Sequence, residues 1–116
     1  MKDNKYTVLV VEPGKDPYAK EIEHGLKPLQ NIVGDTIQAI YSFDDHVCII
    51  YDDEGKLLQK TPNRLLRTDD GEIYDYIAGT FIIAGISYIS DDFVSLSDEL
   101  IEKYMKFFSL GEQDDE

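Results

Sequence analysis

The 116-residue chain holds one cysteine, no tryptophan, four prolines and two arginines. One thiol forms no internal disulfide, and with two histidines it falls short of the four ligands of a structural zinc site. No apolar run approaches the ~20 residues of a membrane-spanning helix, and Met1-Lys2-Asp3-Asn4-Lys5-Tyr6 lacks the apolar stretch of a signal peptide. A cytoplasmic protein with no membrane partner is expected. Positive charge is scarce: 11 Lys and Arg stand against 24 Asp and Glu, a net −13. That field repels phosphate backbones, so no direct nucleic-acid binding is expected. The sequence contains no Walker loop, no dinucleotide fingerprint and no Gly-x-Ser-x-Gly elbow. It therefore points to no enzyme, metal or cofactor.

What is present suffices for a core. Hydrophobic residues make up 42% and aromatics 11%, and a chain of this length forms one domain. We expect that domain over residues 1–110, with an acidic frayed tail over 111–116. Tyr6 to Glu12 is a nearly continuous apolar run, as in a strand covered on both faces. After a Pro13-Gly14 turn, Asp16-Pro17 reads as a helix start, followed by Ile22, Leu26, Leu29 and Val33 at helical spacing. Pro28 predicts a kink or early stop between Gly25 and Pro28. Thr36–Tyr41 and His46–Tyr51 read as an antiparallel hairpin, followed by a turn at Asp52-Asp53-Glu54-Gly55. From Lys56 to Tyr76 the pattern is irregular and predicts a long connection, with Asn63-Arg64-Leu65-Leu66 as a single helical turn. Gly79–Ile86 is a buried-type strand. Ser95 to Asp98 has the spacing of a capping box before a helix carrying Leu100, Tyr104 and Phe107 or Phe108, stopped by Gly111. The order is β-α-β-β-loop-β-α: an α+β domain in which two helices cover a small, mostly antiparallel sheet.

Few side-chain constellations carry chemistry. His46 and Cys48 share a strand face near Asp44 and Asp45, but the set is short of ligands, and a core-facing pair is the simpler reading. Asp52-Asp53-Glu54-Gly55 and Asp69-Asp70-Gly71-Glu72 lack the alternating ligands of a calcium loop and read as turns. Both arginines fall in Lys60-Thr61-Pro62-Asn63-Arg64-Leu65-Leu66-Arg67. A guanidinium fork beside an asparagine amide can bind a carboxylate or phosphate bidentately, so Asn63 and Arg64 lead the candidate ligand site. The competing reading pairs Arg64 and Arg67 with Asp69, Asp70, Glu72 and Asp75. The acidic clusters at Asp44-Asp45, Asp52-Asp53-Glu54, Asp69-Asp70, Asp91-Asp92 and Asp98-Glu99 open a second hypothesis, imitation of DNA phosphates before a nuclease or restriction enzyme.

Several collinear phrases resemble a known family. They are Val10-Val11-Glu12-Pro13-Gly14-Lys15-x-Pro17, Leu29-Gln30-x-x-Val33-Gly34, Glu54-Gly55-Lys56-Leu57, Pro62-Asn63-Arg64, Ile77-Ala78-Gly79-Thr80-Phe81, and Ser95 to Leu100 with Lys103-Tyr104-Met105. Together, from about Thr7 to Phe108, they resemble domain-of-unknown-function family 3846, short proteins of Gram-positive bacteria, phages and conjugative elements. The resemblance implies a setting: an accessory protein that counters host defence by stoichiometric binding. The expectation is a non-enzymatic binder of a small phosphate-bearing signalling nucleotide or of a host defence protein. Asn63 and Arg64 would anchor the ligand, Arg67 and Lys60 would supply charge, and Gly79 and Thr80 would offer backbone N–H groups. A homo-oligomer would let two copies enclose a ligand.

Overall fold

A computed structural model describes residues 5–41, 43, 45–68, 70–90 and 92–113. Met1 to Asn4, Ser42, Asp44, Asp69, Asp91 and the tail from Asp114 lie outside the described residues, so the acidic-cluster reading is placed only in part. The elements run β1 (Lys5–Val11), β2 (Tyr18–Glu23), α1 (Leu26–Val33), β3 (Ile37–Ile40), β4 (Val47–Asp52), β5 (Pro62–Arg67), β6 (Ile73–Ala78), β7 (Phe81–Ile86), β8 (Phe93–Val94), α2 (Asp98–Phe107) and α3 (Leu110–Gln113). The class is α+β.

Six strands form one antiparallel sheet. Its order is β2-β1-β7-β4-β3, with β8 paired to the end of β7. Strands β5 and β6 form a separate hairpin. Both faces of the large sheet are covered, which explains the unbroken apolar reading of β1, β4 and β7. Tyr6, Val8, Val10, Cys48, Ile50, Ile82 and Ala84 point to one face, where Leu29 and Val33 of α1 meet them. Leu9, Val11, Val47, Ile49, Phe81 and Ile83 point to the other, where Tyr104 and Phe108 close the core beside Leu66 and Ile77 of the hairpin. The period-two alternation of strand side chains thus splits one apolar run between two cores.

The structure corrects several expectations. The segment after Asp16-Pro17 is strand β2, not helix. Its residues pair one for one with β1 from Lys5↔Glu23 to Val10↔Tyr18, and the tertiary pairing overrides a spacing in which Ile22 happened to extend the helical period. The helix starts only at Leu26. Pro28 makes no kink, because it occupies the third position of α1, where a backbone N–H has no intrahelical partner to lose. The expected long connection is mostly the β5–β6 hairpin, and Asn63 to Leu66 is strand rather than a helical turn. Gly79 belongs to the β6–β7 turn, and the buried strand begins at Phe81. Ser97, not Ser95, caps α2, its side chain accepting from the Leu100 backbone N–H. Ser95 Oγ accepts from the Thr7 N–H at 2.8 Å. Helix α2 stops at Phe108, and Gly111 lies inside α3.

Candidate functional site

The β5–β6 hairpin gathers most of the residues singled out in the sequence. Register pairs Arg64 with Ile77 and Leu65 with Tyr76, so Arg64 and Leu66 turn inward while Leu65 and Tyr76 stay outside. Arg64 is only 2% exposed. Its Nε donates to the Phe108 carbonyl at 2.8 Å, one terminal nitrogen donates to Asn63 Oδ1 at 2.7 Å, and the other reaches the Lys15 carbonyl. Burial lowers its pKa, and the nearby Asp16 carboxylate acts in the opposite direction. Asn63 Nδ2 donates to the carbonyls of Val11 at 2.8 Å and Gly79 at 2.9 Å. The pair therefore ties the hairpin to the end of β1, to the β6–β7 turn and to the end of α2. Val11, Gly79 and Phe108 are buried at or next to the ends of β1, β6 and α2, so their carbonyls need donors.

The other sequence candidates are tied into the same scaffold. Lys60 Nζ lies 2.6 Å from Asp52 Oδ2 and donates to the Val33 carbonyl at 3.0 Å. Burial raises the Asp52 pKa, but the Lys60 ammonium and the Glu54 N–H outweigh it and hold the carboxyl below its ordinary value. The Lys60 stem passes over Gly79, whose φ of +88° favours glycine and whose hypothetical Cβ would lie 2.8 Å from Lys60 Cδ. The Gly79 N–H donates to the Thr61 carbonyl at 2.7 Å, and Thr80 is half-buried beside it. Arg67 donates to the Gly71 carbonyl at 3.2 Å across the hairpin turn. The structure thus brings Asn63, Arg64, Lys60 and Gly79 together as a structural junction, with Arg67 at the far end of the hairpin.

The metal candidates separate. Cys48 is buried against α1, and burial pushes its thiol pKa up to about 12. His46 stacks on Tyr88 at 3.8 Å and bonds through Nδ1 to the Ile86 carbonyl at 3.0 Å. Among the described residues no group of three or more His, Cys, Asp or Glu is placed to hold a metal ion.

Two concavities flank the hairpin. A shallow one of about 260 Å³ lies over Pro62, Asn63, Arg64, Leu65 and Tyr76. A deeper cleft of about 220 Å³ separates β6 from β3 and β4, between Tyr51, Asp53 and Lys56 on one side and Asp75 and Tyr76 on the other. Exposed apolar side chains lie on β6, at Ile73, Tyr74 and Tyr76, and in the turn after β4, at Leu57 and Leu58. Lys56 joins the two groups, bonding Asp75 and lying 4.4 Å from the Tyr76 ring centre. Sequence reasoning missed Tyr51, Asp53, Asp75 and Tyr76 as site residues. The available signal was Ile73-Tyr74-Asp75-Tyr76-Ile77, a β-prone run rich in aromatics.

A family model described as Domain of unknown function (DUF3846) matches residues 5–109. No curated protein and no solved structure matches the chain.

Proposed function

Because the chain belongs to the DUF3846 family, whose description states no activity, we propose from the geometry that it is a non-enzymatic binding protein whose working surface is the β5–β6 hairpin. In this reading it acts in the host cytoplasm for a phage or mobile element and blocks a defence protein by stoichiometric contact. The observation that carries the proposal is the run of exposed Ile73, Tyr74 and Tyr76 along β6. Large apolar and aromatic side chains exposed along one strand of a polar surface are characteristic of protein interfaces, where aromatics supply much of the binding energy. The nucleotide alternative is less well served. The Arg64 guanidinium already bonds the Phe108 and Lys15 carbonyls, and the deeper cleft presents Asp53 and Asp75, which repel phosphate.

The test is native mass spectrometry of the purified protein with candidate defence effectors, alongside plating of phage on cells that carry those defences. A defined-ratio complex that Tyr74→Asp abolishes without changing Tm supports the assignment. A bound nucleotide released at unaltered mass would restore the sequestration reading, and turnover of a substrate would overturn the non-enzymatic one. The same spectra report whether the protein is the homo-oligomer expected from its size.

A further inference from the structure

We propose that the cleft between β6 and the β3–β4 edge is a receptor for a guanidinium or primary ammonium group, and that Lys56 is its built-in occupant. The inference rests on the chemistry of the cleft and stands independently of the defence-protein reading. Two carboxylates, Asp53 and Asp75, and two aromatic rings, Tyr51 and Tyr76, form the walls, above an apolar floor that includes Leu66 and Ile77. Burial raises the Tyr51 phenol pKa, and the nearby Asp53 carboxylate adds to the shift. Aromatic faces and carboxylates both attract cations, and together they form the kind of cage that selects one. The cleft already holds a cation: the Lys56 ammonium donates to Asp75 and sits 4.4 Å from the Tyr76 ring centre. Asp52 also lines the cleft, but its carboxylate is already paired with Lys60 at 2.6 Å.

Size narrows the ligand. At about 220 Å³ the cleft is smaller than the ~300–1,000 Å³ pockets that take drug-sized molecules or cofactors. It suits one side chain or a small amine, not a nucleotide. Lys56 is easily displaced, because both partners of its ion pair are about half exposed, with side chains 49% and 48% accessible. Such pairs contribute little to stability. An arriving guanidinium has the advantage of a planar fork that can bind a carboxylate with two hydrogen bonds while stacking on a tyrosine.

The experiment is an amide chemical-shift titration of the whole chain with methylguanidinium and, separately, with the peptide acetyl-Gly-Arg-Gly-amide. Saturable shifts centred on Asp75 and Tyr76 are expected. In Lys56→Met, which keeps the stem and removes the competing charge, affinity should rise about tenfold, the combined worth of a surface ion pair and an exposed cation–π contact. Asp75→Asn should abolish the shifts while thermal unfolding reports an intact fold. Equal binding of both probes identifies a free small cation as the natural ligand, and binding of the peptide alone identifies a partner's basic side chain. Absence of saturable shifts in both wild type and Lys56→Met, weaker binding in Lys56→Met, or binding unaffected by Asp75→Asn each overturns the proposal. None of these readouts requires a host protein, so failure here is distinct from failure of the interface reading.

Discussion

Arg64 shows how one residue type serves either a ligand or a fold depending on its surroundings. In the sequence, an arginine beside an asparagine is an anion fork. In the fold, the same fork meets the neutral carbonyls of Phe108 and Lys15, and the bond from Arg64 to Asn63 Oδ1 fixes the amide so that its Nδ2 faces Val11 and Gly79. Replacing Arg64 with alanine removes a buried charged donor, takes its partner from the carbonyl of buried Phe108 and frees the Asn63 amide. The expected loss is about 3 kcal/mol of unfolding free energy, measured by urea denaturation, and Arg64→Lys should recover little of it because an ammonium lacks the fork. A stability change below about 0.5 kcal/mol, the range of ordinary surface substitutions, would show the junction to be dispensable. Gly79 makes a second test at this scale. With φ at +88° and the Lys60 stem in the space a Cβ would occupy, Gly79→Ala should cost about 2 kcal/mol through backbone strain and displacement of Lys60. Thermal unfolding would check it, and Lys60→Ala in the same chain should relieve the steric part while losing the Asp52 ion pair.

Among the elements, the outcome depended on whether local preference and tertiary pairing agreed. They agreed for β4, whose apolar run is buried on both sides, and for α2, where Ser97 caps the first turn and Asp98 and Glu99 stand at its positive end. Ser97→Ala should therefore destabilise the protein by about 1 kcal/mol, visible as a lower denaturation midpoint with unchanged slope, whereas Ser95→Ala should perturb the β1–β8 region through its bond to Thr7. They disagreed for β2 and β5. The β2 segment Tyr18-Ala19-Lys20-Glu21-Ile22-Glu23 buries only Ile22; it is an edge strand whose charges discourage further pairing. Its strand character comes from the exposed edge of β1, and nothing within the segment announces it. The β5 segment opens with Pro62 and Asn63, residues typical of loops, and pairs with β6 through two irregular steps. The hairpin was legible only as a long connection, so the candidate surface on β6 was read as loop.

For the molecule as a whole, the −13 charge and a few specific ion pairs act against each other. Lys103 and Tyr104 of α2 both donate to Asp45, at 2.6 and 2.8 Å, and their hydrogen bonds hold that carboxyl below its ordinary value. A carboxyl depressed in the folded state contributes stability above its unfolded pKa, near 4, and loses that contribution as pH falls through the folded value. Wild type should therefore lose more stability than Asp45→Asn between about pH 5 and pH 3, as read by urea midpoints across that range. At the alkaline end, the Glu12 bond pushes the Tyr18 phenol up to about 12. Its contribution is complete below the unfolded value near 10 and disappears as pH rises through 12. Mutual repulsion among the acids predicts that added salt raises Tm through screening. The same titration separates two modes of partner binding: an apolar hairpin contact changes little with salt, and a phosphate-imitating acidic surface weakens steeply.

The sequence by itself determined the α+β class, the β3–β4 hairpin, the double-faced burial of the central strands and the acidic character of the surface. Each follows from local composition or period, which a chain carries wherever it folds. Only the tertiary structure decided that Tyr18 to Glu23 is a strand, that Arg64 and Asn63 hold the ends of β1, α2 and the β6–β7 turn, and that Asp53, Lys56, Asp75 and Tyr76 surround one cleft. Those outcomes depend on contacts between segments as much as 52 residues apart, as in the bond from Asn63 to Val11. No local pattern records which carbonyl a buried arginine will meet, because that partner exists only once the elements have packed.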